Sequence, residues 1–156
     1  MPDSREIPGL SDVLQSPVVV LCVGNRMRGD DGFGPAVAAL LSDLPNVIDA
    51  GTTPENELPR IARMAPTTVI VVDAVHFDGA PGELRVIAPE NLRFDDVSTH
   101  AGSLELCAEF LRESCGARTV LLAAQPVSLD LTAGLSDPIS VAVDEAVAVL
   151  RRLDVP

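Results

Sequence analysis

The sequence predicts an α/β fold in which a mostly parallel sheet is covered by helices. Several runs of consecutive apolar residues are rich in β-branched side chains and are too apolar for strands with one face in water. They alternate with segments whose apolar residues recur at helical spacing. The core must be built from Val, Leu, Ile and Ala, because Trp and Tyr are absent and Phe occurs only 4 times. This mix is typical of strands buried on both faces. A length of 156 residues fits one such domain.

The first half of the chain predicts three strands and two helices. The strands are residues 17–23 (PVVVLCV), 47–50 and 67–72 (TTVIVV). A glycine-rich loop, residues 24–34, follows the first strand, and Pro35 suits the first turn of the helix after it. Asn56 is expected to cap the second helix, with Pro59 tolerated in its first turn.

The second half predicts two further strands and two helices. Residues 83–88 (ELRVIA) alternate like a half-buried or edge strand, and residues 118–124 (RTVLLAA) form a fifth strand. One helix is expected over residues 102–115, and Ser136 is expected to cap the last one. Residues 1–16 are polar with two prolines and predict a flexible N-terminal arm, so the single domain is residues 17–154.

This order of elements brings two acidic residues together. Right-handed crossovers from the first strand to the second, and from the second to the third, favour the sheet order 2-1-3. A crevice then opens outside the carboxyl ends of strands one and three, where the chain reverses direction. Asp31 lies in the loop after strand one, and Asp73 ends strand three. Topology alone therefore predicts that the two carboxylates meet in this crevice.

Composition excludes several classes of function. The formal charge is −12, from 11 arginines without any lysine and 23 acidic residues, and such a surface repels nucleic acid and anionic membranes. The 3 cysteines are scattered and apolar in setting, which predicts free thiols in a reducing compartment. The sequence shows neither a secretion signal nor an apolar run that could span a bilayer. We therefore expect a cytoplasmic protein.

Two phosphate-related functions fit the acidic loop poorly. The loop has the G-x-x-x-x-G of a P-loop, but Asp30 and Asp31 occupy the positions that need Lys and Ser or Thr, so they would repel a phosphate. A receiver-like phosphoacceptor would use both residues with Asp73 around magnesium. It also needs a Lys at the end of the last central strand, where Gln125 stands instead. The receiver-like module stays open as a non-enzymatic alternative.

A metal site is the third possibility, and it adds His100, which lies just before the third helix. Two carboxylates and one imidazole, with room for water or a substrate ligand, suit nickel, zinc, manganese or cadmium. A single His at a helix N-terminus is more commonly a capping or surface residue, so the residues alone leave this set open. His76 is expected in an exposed loop, and Asp30 is expected to be a turn residue whose carboxylate faces solvent.

Six segments together resemble one protein family, the hydrogenase maturation proteases. The segments are VLCVGNRMRGDDGFGP (20–35), DAGTTPENEL (49–58), TVIVVDAV (68–75), PGELRVI (81–87), STHAGSLEL (98–106) and LLAAQP (121–126). They occur in the family's order and are spread over most of residues 18–151. The GN-x-x-x-GDDG-x-GP stretch is specific to the family. Members are endopeptidases that process the large subunit of nickel-iron hydrogenases.

The resemblance implies a fold, a site and a substrate. The fold is a three-layer α/β/α sandwich with a mixed five-stranded sheet in the order 2-1-3-5-4, in which strand four is antiparallel. Asp31, Asp73 and His100 fall on the family's metal-binding positions and would form the catalytic site of an aspartic-type peptidase. The partner would be the large-subunit precursor, which presents nickel, although zinc, cadmium or manganese can occupy such a site. The enzyme would then remove a C-terminal extension after a basic residue.

One departure from the family and two mechanistic routes stay open. Many relatives have Pro-Leu soon after the His, where this chain has residues 102–104 (GSL). The water that attacks the peptide would be activated either by the metal or by a carboxylate acting as base, and the sequence does not choose. A non-catalytic metal-binding maturation or chaperone domain is the alternative to a peptidase.

Overall fold

A computed structural model describes residues 7–88, 101–132 and 134–153 of the chain. For residues 101–103 it describes the backbone only. Its sheet has five strands in the order β2-β1-β3-β5-β4. The strands are β1 (Val18–Val23), β2 (Val47–Gly51), β3 (Thr68–Ala74), β4 (Leu84–Ile87) and β5 (Arg118–Ala124). All neighbours are parallel except β4, which runs antiparallel to β5. The predicted fold and strand order are confirmed.

Five α-helices accompany this sheet in the described part of the chain. They are α1 (Leu10–Val13), α2 (Phe33–Leu40), α3 (Leu58–Met64), α4 (Ala101–Cys115) and α5 (Asp137–Arg152). Short 3-10 helices over Gly29–Gly32 and Pro54–Glu57 precede α2 and α3. Asn56 lies inside the second of these, so the prediction that it caps a helix is wrong. Pro54 starts the helical turn earlier, because its fixed φ already suits a first turn.

The helices divide between the two faces of the sheet, and each face has its own core. Side chains of α1, α2 and α5 pack against one face, and those of α3 and α4 pack against the other. Every residue of β1 and β3 is buried, which explains why these segments read as unbroken apolar runs. None of the described helices is long and apolar enough to cross a membrane.

The segment before β1 is more ordered than its composition suggests. Ile7 and Leu10 are 7% and 2% exposed and belong to the core beside α5. The Thr68 hydroxyl donates to the Gln15 carbonyl and accepts from the Gln15 N–H. Residues 7–16 therefore differ from the expected flexible arm, because two apolar side chains and a hydroxyl at the start of β3 hold them. Residues 1–6 of that arm lie outside the described residues.

Candidate active site at the carboxyl edge of the sheet

Asp31 lies in the 3-10 helix that directly follows the β1 loop. Its side chain is buried, with 2% of the residue exposed. Its Oδ2 accepts a hydrogen bond from the backbone N–H of Asn25 at 2.9 Å, while its own N–H donates to the Arg28 carbonyl at 3.1 Å. The loop thus curls around the carboxylate and fixes its orientation.

Asp73 is the last-but-one residue of β3 and is completely buried. Its side chain shares a face of the sheet with Val71 and Val75, which pack towards α3 and α4. β1 and β3 pair in parallel as far as Cys22 and Val72, one residue before Asp73. The 3-10 helix that carries Asp31 contacts β3 directly. The structure therefore places the 3-10 helix of Asp31 beside the strand of Asp73 at the carboxyl edge of the sheet. The meeting of the two carboxylates in one crevice stays a prediction.

His100, the third predicted ligand, lies outside the described residues, so the complete trio stays a prediction. Ala101, bonded to it, begins α4 on the face where the Asp73 side chain lies. α4 ends two residues before β5 begins and is about 22 Å long at a rise of about 1.5 Å per residue. Its N-terminus therefore lies at the carboxyl edge of the sheet. Within the described ranges, no three His, Cys, Asp or Glu side chains are grouped so as to hold a metal.

Asp30 does not face solvent, so that expectation is wrong. The residue is 2% exposed, and its carboxylate accepts four hydrogen bonds from the segment between β5 and α5. The donors are the N–H groups of Val127, Ser128 and Ser136 and the Ser136 hydroxyl, at 2.8, 3.3, 2.7 and 2.8 Å respectively. We call this arrangement the Asp30 clamp. Ser136 is the N-cap residue of α5, as predicted, but its hydroxyl binds Asp30 and does not cap the helix.

Gln125 is a buried polar residue that the sequence analysis considered only as the absence of a lysine. It is 7% exposed and follows the end of β5. Its Oε1 accepts from the N–H groups of Phe77 and Gly79 at 2.8 and 3.1 Å, and its Nε2 lies 3.0 Å from Nδ1 of His76. His76 is therefore half-buried and held by an amide, and it is not the exposed loop residue that was expected. The sequence feature that could have revealed this contact is a glutamine directly after the apolar run of β5.

The cysteines are free, and burial disfavours the thiolate form of the two most buried, Cys22 and Cys107. Burial, with a smaller contribution from the Asp49 charge, raises the pKa of Cys22 to about 12. Burial and the Glu55 charge likewise raise the pKa of Cys107 to about 11. Thiolates are the reactive species, so neither residue is poised as a nucleophile near neutral pH.

Known proteins that resemble this chain in sequence and fold include hydrogenase maturation proteases. A family model described as hydrogenase maturation protease matches residues 38–152. The hydrogenase 3 maturation protease of Escherichia coli K12 is 36% identical over 141 residues, covering 87% of this chain and 88% of the relative. HycI of Thermococcus kodakarensis, a nickel-iron hydrogenase maturation protease, superposes with a TM-score of 0.80 at 34% identity, covering 90% and 95% of the two chains.

A further solved structure agrees. The endopeptidase HycI of Escherichia coli has a TM-score of 0.73 at 34% identity and covers 88% of both chains. The chain described here belongs to the hydrogenase maturation protease family, and its activity is that of a processing endopeptidase.

Proposed function

We propose that Asp31, Asp73 and His100 form the site at which this endopeptidase detects nickel in a hydrogenase large-subunit precursor and removes the precursor's C-terminal extension. The observation that carries the proposal concerns Asp31 and Asp73, which lie on neighbouring elements at the carboxyl edge of the sheet. They are 42 residues apart in sequence, yet the 3-10 helix of one contacts the strand of the other. His100 is bonded to the residue that begins α4 at the same edge.

The chemistry of the three predicted ligands supports nickel as the ion that the enzyme detects. Two carboxylates and one imidazole leave positions for ligands that the precursor supplies, as an open site requires. The Asn25 N–H donates to the Asp31 carboxylate, in the way that hydrogen bonds from neighbouring groups orient metal ligands. In this proposal nickel belongs to the substrate, and the enzyme completes its coordination. Zinc, cadmium or manganese would occupy the same donors in a purified protein.

For the cleavage step, the chain supplies two buried carboxylates, those of Asp31 and Asp73. A carboxylate within hydrogen-bond reach of a water accepts its proton as the water oxygen bonds to the peptide carbonyl carbon. The same proton then passes to the amine nitrogen as the C–N bond breaks. A bound divalent ion would polarise the oxygen atoms around it. The precursor's basic residue before the cleaved bond suits the net charge of −12, which attracts a cationic segment. Aspartic-type hydrolysis in the cytoplasm, where the free thiols stay reduced, completes the proposal.

The test uses purified protein with nickel-loaded and nickel-free precursor, followed by intact mass. We expect loss of the C-terminal peptide only from the nickel-loaded precursor. Asp73→Asn and His100→Ala should cleave it at least about 1000-fold more slowly than wild type. Asp130→Asn, an exposed residue of the same acidic type, is the matched control and should cleave normally. Wild-type cleavage of nickel-free precursor would refute nickel detection. Precursor binding without any mass change would indicate a non-catalytic maturation role.

A further inference from the structure

The contact between Gln125 and His76 fixes the donor and acceptor roles of the imidazole. Both hydrogen bonds to the Gln125 Oε1 come from backbone N–H groups, those of Phe77 and Gly79. Backbone N–H groups can only donate, so the oxygen of this amide must be the atom that faces them. The atom 3.0 Å from His76 Nδ1 is therefore the NH2 nitrogen, which can only donate.

His76 must then accept at Nδ1. A neutral imidazole that accepts at one nitrogen carries its proton on the other, so the proton lies on Nε2. In this state neither nitrogen has a lone pair to spare, because Nδ1 is occupied by Gln125 and Nε2 is protonated. His76 is thus unsuited to be a metal ligand or a general base. The hydrogen-bonding capacity that its imidazole retains is that of a donor at Nε2.

The loop that carries His76 is held from several sides, which gives the donor a defined position. Its stem is fixed by a hydrogen bond from the Val75 N–H to the Ala124 carbonyl at 3.0 Å. The Arg85 guanidinium lies 4.3 Å from the centre of the Phe77 ring. His76 follows Asp73 by three residues, so the two Cα atoms are at most about 11 Å apart. The donor therefore lies at the edge of the sheet where cleavage is proposed.

We propose that His76 is a substrate-binding residue whose Nε2–H donates to a peptide carbonyl oxygen of the segment being processed, and that Gln125 is the positioning residue that holds it in this state. Carbonyl oxygens are the acceptors that any extended peptide presents, and His76, a half-buried residue two positions past the end of β3, retains one N–H for such an acceptor. The inference rests on the proposed cleavage at this edge, but the state of His76 does not depend on it.

The first test is nitrogen-15 NMR of the imidazoles in the full-length protein. The chain has 2 histidines, so His76→Asn assigns both sets of signals. We expect the free protein at neutral pH to show His76 protonated at Nε2 alone. In Gln125→Glu, one carboxylate oxygen can still face Phe77 and Gly79 while the other accepts from the ring, so we expect protonation at Nδ1. Wild-type His76 protonated at Nδ1 would overturn the inference without affecting the proposed function.

The second test separates substrate binding from a structural role. Asn places an acceptor near the position of Nδ1 and so keeps the Gln125 contact, but it loses the outward donor. Gln extends an amide N–H to about the position of Nε2 and keeps the outward donor. For cleavage of nickel-loaded precursor, we expect His76→Asn to lower kcat/KM about 10-fold, mainly through KM, and His76→Gln to stay within about 3-fold of wild type.

Two results would contradict the assignment of His76 as a donor to substrate. One is wild-type kinetics for His76→Asn, and the other is an equal loss for both variants with unchanged urea midpoints. Failure of the proposed function has a different signature, namely full cleavage by Asp73→Asn or an uncleaved precursor with the wild-type enzyme. In that case the NMR result alone still decides the state of His76.

Discussion

The two neighbouring acids Asp30 and Asp31 are equally buried but lie in different surroundings. Asp30 accepts four hydrogen bonds from the segment before α5, and these bonds join residues about 100 positions apart in the chain. Asp31 is held by its own loop, through the Asn25 N–H, in the helix that contacts β3. A 3-10 helix turns by about 120° per residue, so consecutive side chains point in different directions.

This difference assigns separate tasks to the two residues. The Asp30 clamp joins the β1 loop to the segment that leads into α5, and it thereby supports the helix in which Asp31 lies. Asp31 lies in that helix, which contacts β3, and belongs to the proposed catalytic site. Loss of the clamp should therefore lower stability, whereas loss of Asp31 should lower activity.

Asp30→Ala is expected to have the largest effect on stability. It removes a buried charged acceptor from four donors, three of which are backbone N–H groups. We expect the free energy of unfolding to fall by about 3 to 4 kcal/mol. Urea unfolding measures this loss. Asp130→Ala, in the same segment but exposed, is the control and should change stability by less than about 0.5 kcal/mol. Equal stability of the two variants would show that the clamp is not needed.

Gly24→Ala should affect both stability and activity. A Cβ on Gly24 would overlap the carbonyl oxygen of Asp31 and lie 3.1 Å from the Pro35 ring, so the loop must shift. We expect a loss of about 2 to 3 kcal/mol and slower cleavage. Gly51→Ala is the matched control, because Gly51 also has a positive φ but nothing within 4 Å of the added Cβ. It should show only the backbone strain of about 1 kcal/mol. If Gly24→Ala lost no more stability than Gly51→Ala, the close approach of Gly24 to the Asp31 carbonyl would be contradicted.

A smaller effect on stability is expected at the ion pair that links the segment after α2 to α5. Arg151 donates to both carboxylate oxygens of Asp43 at 2.9 Å, and this contact lowers the pKa of Asp43 below its ordinary 3.8. The folded pKa is the lower one, so the stabilisation is complete above pH 3.8 and is lost as the pH falls through the folded pKa. Asp43→Asn should therefore be less stable than wild type at pH 7.

The difference between Asp43→Asn and wild type should shrink in acid, and urea unfolding at several pH values measures it. Because both side chains are exposed, the effect at pH 7 should be far below that of Asp30→Ala. A difference between the two proteins that is constant at every pH would contradict the role of the ion pair.

Thiol modification should have the smallest effect. Burial and the raised pKa values of Cys22 and Cys107 predict that N-ethylmaleimide at pH 7 leaves both unmodified in the folded protein. Peptide mass mapping after brief treatment measures this, and cleavage activity should be unchanged. Modification of Cys22 together with loss of activity would place a reactive thiol at the site.

Much of the fold follows from local patterns in the sequence. The unbroken burial of β1 and β3 produces apolar runs that are visible in the chain, and the alternation in β4 marks the edge strand. The meeting of Asp31 with β3 follows from right-handed crossovers, which need no side-chain detail. The antiparallel placement of β4 next to β5 came from the family resemblance, and the structure confirms it.

The long-range polar contacts could not be predicted in the same way. Asp30 and Ser136 are 106 positions apart, and Gln125 and His76 are 49 apart, so no local spacing signals either contact. Each forms because a buried carboxylate or amide must satisfy its hydrogen-bonding groups with whichever backbone is near. The turn-like sequence around Asp30 suggested solvent exposure for this reason, and Gln125 attracted notice only as the absence of a lysine.

The most direct test of this account is the cleavage of nickel-loaded precursor by Asp31→Asn, measured with its urea midpoint. The amide oxygen of Asn can still accept from the Asn25 N–H, so the fold is preserved while the charge is removed. We predict a midpoint close to that of wild type and cleavage slowed at least about 1000-fold. Cleavage at the wild-type rate by this folded variant would contradict the assignment of Asp31 to the active site.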